Sequence, residues 1–276
     1  MIGAQLKEKL LTDGYKVVGI DLKNTETFRD NYVHIQLDLS DKEALTDVFE
    51  KYNPDRVIHL AALAHTAGEN NLTYERYLNV NVVCSENLFD VAFSKNASVL
   101  YISTADVYGF VKGVVNADTE LNPVSYYGKS KALAEQSLQK VFDGRQNSYT
   151  IFRFQPVYTA TVKRDIQKRY YLKYPKWAYK IGSGAKFEVL SIENAVLNMR
   201  NWLNQEPKND IRNIKDESLL DVNQAIAEEK AQGRAKHVIR VPRWIAVTVF
   251  AVVKFLTGKN KYTYLLNKAV NPLRTE

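Results

Sequence analysis

The sequence predicts an α/β fold built on a doubly wound parallel sheet, and two observations support this. Short apolar runs of strand length recur along the first 155 residues, and segments with helical periodicity separate them. Parallel strands need such crossover helices. The chain is also 45% hydrophobic and 25% charged, which is typical of a globular protein and argues against disorder.

The elements follow one another from the first residues. Ile2, Leu6 and Leu10 share one face of an opening helix, which Gly14 can end. The next predicted strands are Tyr15–Ile20, Val33–Leu37, Arg56–Leu60, Val99–Ser103 and Tyr149–Phe154, and the predicted helices between them are Asp41–Tyr52, Tyr74–Phe93 and Val124–Phe142. After Phe154 the periodicity weakens, and only a short strand and a helix are predicted clearly, at Phe187–Ser191 and Ile192–Leu203.

The charge balance limits the possible partners. A net charge of +7 and a pI near 9.2 suit nucleic acid, a membrane surface or a polyanionic small molecule. No nucleic-acid-binding motif accompanies the basic residues, so nucleic acid is not expected as a partner. Two explanations of the basic charge remain: a solvated surface and a diphosphate-bearing substrate. The single cysteine, Cys84, allows no internal disulfide, which fits a cytoplasmic location, and the first ten residues do not resemble a signal peptide.

One apolar segment lies near the end of the chain. Pro242–Leu256 carries no charged residue between Arg243 and Lys254. It is shorter than the roughly 20 residues that span a bilayer. Two interpretations remain: a helix packed on the core, which we favour, and a weak peripheral membrane contact through residues 242–261.

The strongest chemical signal is Tyr127-Gly128-Lys129-Ser130-Lys131 in the predicted helix over 124–142. A Tyr and a Lys four residues apart lie on the same face of a helix. A phenol has an unperturbed pKa of about 10, and a neighbouring ammonium group lowers that pKa by favouring the phenolate. The pair can therefore act as a general acid/base, although the spacing alone also arises by chance on helix surfaces.

A hydroxyl side chain is predicted beside this pair. Thr104 follows the strand Val99–Ser103, and ligands of doubly wound folds bind at the carboxyl ends of strands. The Thr104 hydroxyl can hydrogen-bond the substrate oxygen that Tyr127 serves. The alternative is a capping or turn role for Thr104.

These segments resemble the extended short-chain dehydrogenase/reductase family of NAD-dependent epimerases and dehydratases, in particular its UDP-galactose 4-epimerase-like members. The matching motifs are S-T-x-x-V-Y-G from Ser103 and S-x-Y-G-x-S-K ending at Lys131. The family modifies nucleotide-diphosphate sugars. The resemblance implies a Rossmann-type domain over 1–155, a mainly substrate-binding lobe over 156–276 with some segments returning to the core, and a catalytic triad of Thr104, Tyr127 and Lys131. It also implies NAD as cofactor, no metal, and a homodimer through helices near 80–93 and 125–142.

The resemblance also assigns the cofactor site. Ile58–Ala62 is similar to the family's H-L-A-A segment, and Asn81 falls on its supporting asparagine. Asp21 ends a strand, where a carboxylate can bind the ribose hydroxyls and repel a 2′-phosphate, so NAD is expected rather than NADP. Alternatively, Asp21 is only a turn residue. The expected cofactor contacts are Gly3, Asp21, Asp38, Leu39, Leu60, Ala61, Ala62, Asn81, Tyr127 and Lys131.

The chain departs from the family pattern in ways that bear on function. Dehydratases that resemble it carry Asp-Glu after the threonine, and the Asp is their general acid; here Ala105 and Asp106 follow, which counts against dehydration. Thr159 replaces the Gly of V-Y-G, and Cys84 stands where Gly is usual, so we interpret Cys84 as a packing thiol. Four basic side chains are expected either to meet a substrate diphosphate or to be solvated: Lys163, Arg164, Lys168 and Arg169.

The start of the sequence lacks part of the family's phosphate-binding fingerprint. The family opens with a buried strand and G-x-x-G-x-x-G, and Met1-Ile2-Gly3 matches only the end of that pattern. We expect Met1 to be internal to a longer product that begins about one strand and a turn earlier. The alternative is a genuine short form that binds NAD weakly.

These features lead to three functional expectations. The first is an NAD-dependent nucleotide-sugar epimerase that transiently oxidises a ring carbon. A reductase or dehydrogenase that uses the same triad is the close alternative, and a non-catalytic dinucleotide-binding protein is the third.

Overall fold

Helices and strands alternate through the first 155 residues, as the sequence predicts. The computed structural model describes residues 1–24, 30–64, 72–111, 113–144, 147–159 and 164–276, without the side chains of Arg164, Asp165 and Lys261. Its first elements are α1 (Ile2–Thr12), β1 (Val17–Asp21), β2 (Tyr32–Gln36), α2 (Lys42–Tyr52), β3 (Arg56–His59), α3 (Tyr74–Leu78), α4 (Cys84–Ser94), β4 (Ser98–Thr104), β5 (Val114–Val115), α5 (Tyr126–Phe142) and β6 (Tyr149–Phe154).

In the described residues after β6, short strands are accompanied by five helices, the first of which has only four residues. They are β7 (Val157–Tyr158), α6 (Arg164–Gln167), β8 (Tyr171–Lys173), β9 (Trp177–Ile181), β10 (Lys186–Phe187), β11 (Leu190–Ser191), α7 (Ile192–Leu203), β12 (Asp210–Ile214), β13 (Leu220–Asp221), α8 (Val222–Ala231), β14 (His237–Val241), α9 (Arg243–Thr257), α10 (Lys261–Val270) and β15 (Arg274–Thr275). The strand predicted at 187–191 is thus two short strands, β10 and β11, because the chain changes partner between them.

The main strands form two hydrogen-bonded sheets. β1 pairs with β2 in parallel, and the second sheet has the order β12-β6-β4-β3, with β3 and β4 parallel. In a doubly wound sheet of order 3-2-1-4-5-6, β2 and β1 correspond to positions 3 and 2, and β3, β4 and β6 to positions 4, 5 and 6. No strand of the described residues takes position 1. The parallel α/β architecture is therefore confirmed.

The helix predicted over Tyr74–Phe93 is continuous but not uniform. A π-helical turn at Asn79–Val83 joins α3 to α4. Thr73 caps the start of α3 by accepting a hydrogen bond from the Arg76 backbone N–H. A π turn inserts one residue into the helical repeat and so changes which side chains face the sheet. Here it places Asn81 in the interior, where that side chain is 1% exposed.

Contacts divide the chain into two compact units. The first unit contains Met1–Thr104, Tyr126–Arg153 and Ala195–Arg212. The second contains Ala105–Ser125, Phe154–Asn194 and Asn213–Glu276. Each unit has its own apolar core: the first is built on residues such as Leu45, Phe89 and Leu138, and the second on residues such as Tyr170, Phe187 and Ile226. Both cores are large enough to order the elements around them.

A buried ion pair fastens α5 to the sheet of the first unit. Glu135 and Arg153 are 2% and 3% exposed, and the Arg153 guanidinium donates from Nε and Nη2 to the Glu135 carboxylate, the shortest contact being 2.8 Å. Ser103 Oγ donates a third hydrogen bond of 2.5 Å to Glu135 Oε1. Three elements, α5, β4 and β6, therefore meet at one carboxylate. Removing one partner of a buried pair leaves the other charge uncompensated.

We predict that Glu135→Ala lowers the free energy of unfolding by about 3–5 kcal/mol, because Arg153 is left buried without its carboxylate. Lys95→Ala is the control, since it breaks the exposed Lys95–Glu50 pair of 2.9 Å and should cost less than about 1 kcal/mol. Urea unfolding of the three proteins measures both effects. Equal losses in the two variants would contradict the role given to Glu135.

Candidate active site

One face of α5 carries three ionisable side chains. Tyr127, Lys131 and Glu135 follow one another at intervals of four, so they lie in a row along the helix. The half-buried Tyr127 is in the first turn, whereas Lys131 and Glu135 are buried. Because Glu135 is held by β4 and β6, the row is turned toward the sheet. The structure thus confirms the geometric expectation that Tyr127 and Lys131 share a face.

The Lys131 ammonium is buried against an aromatic ring. Lys131 is 2% exposed, and its Nζ lies 3.9 Å from the centre of the Tyr101 ring. Burial lowers the pKa of Lys131 from 10.5 to about 7, and the negative charge of Glu135 opposes this change. A lysine with a pKa in this range changes its charge close to neutral pH. Such perturbed groups are concentrated at functional sites.

Asn81 connects this helix to the loop after β3. Its side-chain Oδ1 accepts a 2.6 Å hydrogen bond from the Leu63 backbone N–H, and its Nδ2 donates to the Leu63 carbonyl at 3.0 Å. The same Nδ2 donates to Ser130 Oγ at 2.9 Å, and Ser130 Oγ donates to the Tyr127 carbonyl. One buried amide therefore holds both the start of α5 and the segment that follows β3.

A second polar chain lies behind Asn81. Ser85 Oγ donates to the Asn81 carbonyl at 2.8 Å and forms a 2.8 Å hydrogen bond with His59 Nε2. Since the Ser85 hydroxyl is already a donor, His59 Nε2 carries the hydrogen of this bond. Burial, reinforced by the charge of Lys131, lowers the pKa of His59 to about 3. His59 is therefore a neutral structural side chain, and its ring stacks on Tyr101 with the centroids 5.6 Å apart.

Thr104 is the last residue of β4 and is half-buried. A 3₁₀ turn at Ala105–Tyr108 follows it directly. This is the position expected from the sequence, at the carboxyl end of a parallel strand. Ala105 is 5% exposed, so the residue after Thr104 contributes a methyl group to the interior and no carboxylate.

The expected phosphate-binding residue lies close to the end of β3. Gly3 is exposed in the first turn of α1, and a Cβ placed on it would lie 3.7 Å from Leu60 Cδ1. No side chain caps the amino end of α1, so its first backbone N–H groups are available to an anion. Gly3 and Leu60, both expected cofactor contacts, are thus brought together.

The other expected cofactor residues lie at or just after the ends of β1, β2 and β3. Asp21 ends β1 and is exposed, and its Oδ1 accepts a hydrogen bond from the Lys23 backbone N–H. Asp38 is exposed after β2 and accepts from the Ser40 backbone N–H, while Leu39 packs on the core. Two further residues follow Leu60: Ala61, which is exposed, and Ala62, which is half-buried.

The basic cluster expected to meet a diphosphate is only partly described. Lys163 lies outside the described residues, and the side chain of Arg164 is not described. Lys168 is exposed, whereas the guanidinium of Arg169 lies 4.9 Å from the centre of the Phe187 ring. Cys84 is half-buried, and burial raises the pKa of its thiol, which fits a packing role.

Several residues of this region were missed by the sequence reasoning. Tyr101 lies against the Lys131 ammonium, Glu135 acts on it through its charge, Arg153 binds Glu135, and Ser130 connects Asn81 to Tyr127. A signal for Glu135 existed, because it extends the spacing of Tyr127 and Lys131 by one more turn on a helix face rich in alanine. Nothing in the local sequence marks Tyr101 as the partner of the Lys131 ammonium, since that contact depends on the packing of α5 on β4.

Comparison with known proteins gives consistent matches. A probable dTDP-glucose 4,6-dehydratase of Sinorhizobium fredii is 28% identical over 185 residues, covering 55% of this chain and 52% of that protein. A UDP-glucose 4-epimerase of Cyamopsis tetragonoloba is 30% identical over 160 residues, covering 52% of this chain and 45% of that protein. The chain thus spans about half the length of these curated relatives.

A solved structure and a family match agree with these relatives. The UDP-Glc/GlcNAc 4-epimerase from Campylobacter jejuni superposes with a TM-score of 0.73 over 88% of this chain and 84% of that chain, at 18% sequence identity. At that identity the likeness shows the shared fold. Residues 1–208 match the NAD dependent epimerase/dehydratase family. The chain belongs to the NAD-dependent epimerase/dehydratase family.

Proposed function

We propose that this protein is an NAD-dependent nucleotide-sugar epimerase, and the observation that carries the proposal is the shared face of Tyr127 and Lys131 beside the end of β4. The family comprises nucleotide-sugar epimerases and dehydratases. That membership supports a nucleotide-diphosphate sugar as the substrate, and the residues around Thr104 support epimerisation as the reaction.

The proton chemistry belongs to Tyr127. Tyr127 takes the proton of a sugar hydroxyl while the hydride leaves the carbon that bears this hydroxyl. It returns the proton when the hydride comes back to the opposite face of that carbon. Lys131, in its charged form, stabilises the phenolate that forms when Tyr127 gives up its proton. Glu135 supports the charged form of Lys131 from the next turn. Thr104 orients the hydroxyl through its own side chain.

The residues after Thr104 favour epimerisation over dehydration. Expulsion of water needs a general acid at the position of Ala105, and a buried methyl group cannot supply a proton. Asp106 is the next carboxylate, and it is bound by Lys268 Nζ at 2.5 Å and by the Tyr264 hydroxyl at 3.3 Å. The Asp106 carboxylate is thus engaged with α10 and does not replace the acid that is missing at position 105.

The described residues fit NAD. The uncapped amino end of α1 at Gly3 suits a pyrophosphate, and the exposed Asp21 suits the ribose hydroxyls and disfavours a 2′-phosphate. Lys131 would hold the nicotinamide ribose, with Asp38, Leu39 and the segment Leu60–Ala62 along the adenosine half. When bound there, NAD supplies the acceptor and donor of the hydride.

The assembly and location that we propose are a cytoplasmic homodimer. α4 and α5 pack on each other, and Val83, just before α4, and Leu133 on α5 are exposed apolar side chains at 46% and 37%. Such residues on adjacent helices suit a symmetric helical interface. The single cysteine is compatible with a reducing compartment.

We predict that Tyr127→Phe lowers turnover of an NDP-sugar by at least about 100-fold, because the general acid/base is lost with little change of volume. NAD affinity, measured by titration, should change little. Tyr126→Phe is the matched control, since it removes a hydroxyl from the adjacent residue, which is 51% exposed. Equal turnover in the two variants would rule out the assignment of Tyr127.

We predict a pH dependence of stability that belongs to Lys131. In the unfolded chain Lys131 holds its proton up to a pKa near 10.5, whereas in the folded chain it loses the proton above about 7. Between these two pKa values the unfolded state therefore binds more protons than the folded state. The contribution of Lys131 to the free energy of unfolding rises with pH in this range, by roughly 1.4 kcal/mol per pH unit.

The measurement is the free energy of urea unfolding of wild type minus that of Lys131→Met between about pH 6 and 10. The difference should rise with pH across the window. Lys129→Met controls for the loss of an exposed lysine on the same helix. A difference that does not change with pH across this range would refute the lowered pKa of Lys131 in the folded protein.

A further inference from the structure

Helix α9 presents an apolar face to solvent. None of its fifteen residues is buried, and Trp244 and Phe255, near its two ends, are 70% and 88% exposed. Exposed positions recur at helical spacing along one side, at Trp244, Val247, Thr248, Ala251, Val252 and Phe255. α9 also contacts α10, but because none of its residues is buried it is not the core-packed helix that the sequence analysis favoured. Exposed apolar surface of this extent marks an interaction site.

The charged side chains of the chain segment that carries this face have one sign. From Lys230 to Thr275 the sequence contains no Asp or Glu. Arg243 precedes the apolar run and Lys254 ends it. The exposed cations on and beside α9 are Lys236, Arg240, Arg243 and Lys259. Lys254 is half-buried, and its Nζ lies 5.4 Å from the centre of the Phe110 ring and 5.6 Å from that of Phe250.

The length of α9 determines how it could meet a membrane. Fifteen residues at 1.5 Å each give about 22 Å, less than the roughly 30 Å of a hydrocarbon core. Over the described part of the chain, no helix has the length and apolar character needed to cross a bilayer. An amphipathic helix of this kind lies in the plane of the interface, with its aromatic residues at the acyl boundary and its cations at the headgroups.

We propose that α9 binds the surface of an anionic lipid bilayer and so tethers the enzyme reversibly to a membrane. The aromatic and aliphatic face enters the interface, and the surrounding lysines and arginines pair with acidic headgroups. A second copy of the chain fits this face less well. A symmetric contact places the same patch on itself, which here brings Arg243 and Lys259 of both copies together with no carboxylate in the segment.

The test uses the full-length chain and sedimentation with vesicles. The chain should bind vesicles of equal parts phosphatidylcholine and phosphatidylglycerol, and it should bind pure phosphatidylcholine vesicles weakly. Added salt should lower its affinity for the anionic vesicles. Phe255→Glu should weaken binding at least about tenfold, because an aromatic side chain that enters the apolar layer of the membrane is replaced by a charge. Leu172→Glu is the matched control, since Leu172 on β8 is 64% exposed and lies outside α9, and it should bind like wild type.

Three results would overturn the proposal. They are absence of binding to the anionic vesicles, binding that neither salt nor Phe255→Glu reduces, and equal loss in Leu172→Glu and Phe255→Glu. Light scattering in the absence of lipid tests whether a second copy of the chain covers this face. A molar mass that is lower for Phe255→Glu than for wild type would assign the face to a second copy and contradict the membrane role. Turnover in solution is measured on the same variants, and it should not change, so the tether and the proposed activity are tested separately.

Discussion

The orientation of helix α5 depends on the buried contact between Glu135 and Arg153. Because Glu135 lies one turn beyond Lys131 and two beyond Tyr127 on the same face, fixing its carboxylate against β4 and β6 fixes the rotation of the whole face. Asn81 secures the other end of the row through Ser130. The position of Tyr127, the acid/base of the proposed mechanism, therefore depends on buried polar contacts made by other residues, as expected of a preorganised site.

The burial of this face of α5 also changes the pKa of Lys131. Enclosing Lys131 beside Tyr101 lowers the lysine pKa to about 7, and the carboxylate of Glu135 resists that change. An ammonium group near its titration point responds to small changes in its surroundings. In the account proposed here, its charge in turn sets how easily Tyr127 gives and takes a proton. Structure and reactivity are thus coupled through one short row of side chains.

Local patterns predicted much of this arrangement. Tyr149–Phe154 and Ile192–Leu203 have the predicted bounds, because a buried strand and an amphipathic helix each leave a periodic trace. The pairing of Tyr127 and Lys131 follows from helix geometry alone. The π turn at Asn79–Val83 and the Glu135–Arg153 pair could not be predicted, because both depend on how distant segments pack. The pairing partners of strands also depend on distant segments, so the sequence did not predict the division of residues 187–191 into β10 and β11.

In the proposed mechanism a hydride leaves one sugar carbon and returns to it while Tyr127 moves the proton of the hydroxyl on that carbon. The direct test is NMR of a panel of UDP- and dTDP-sugars incubated in D₂O with the full chain and NAD. We expect an epimer that keeps its ring hydrogen, with no net accumulation of reduced cofactor. Loss of water with deuterium in the product, stoichiometric reduction of NAD, or no turnover across the panel would contradict the account.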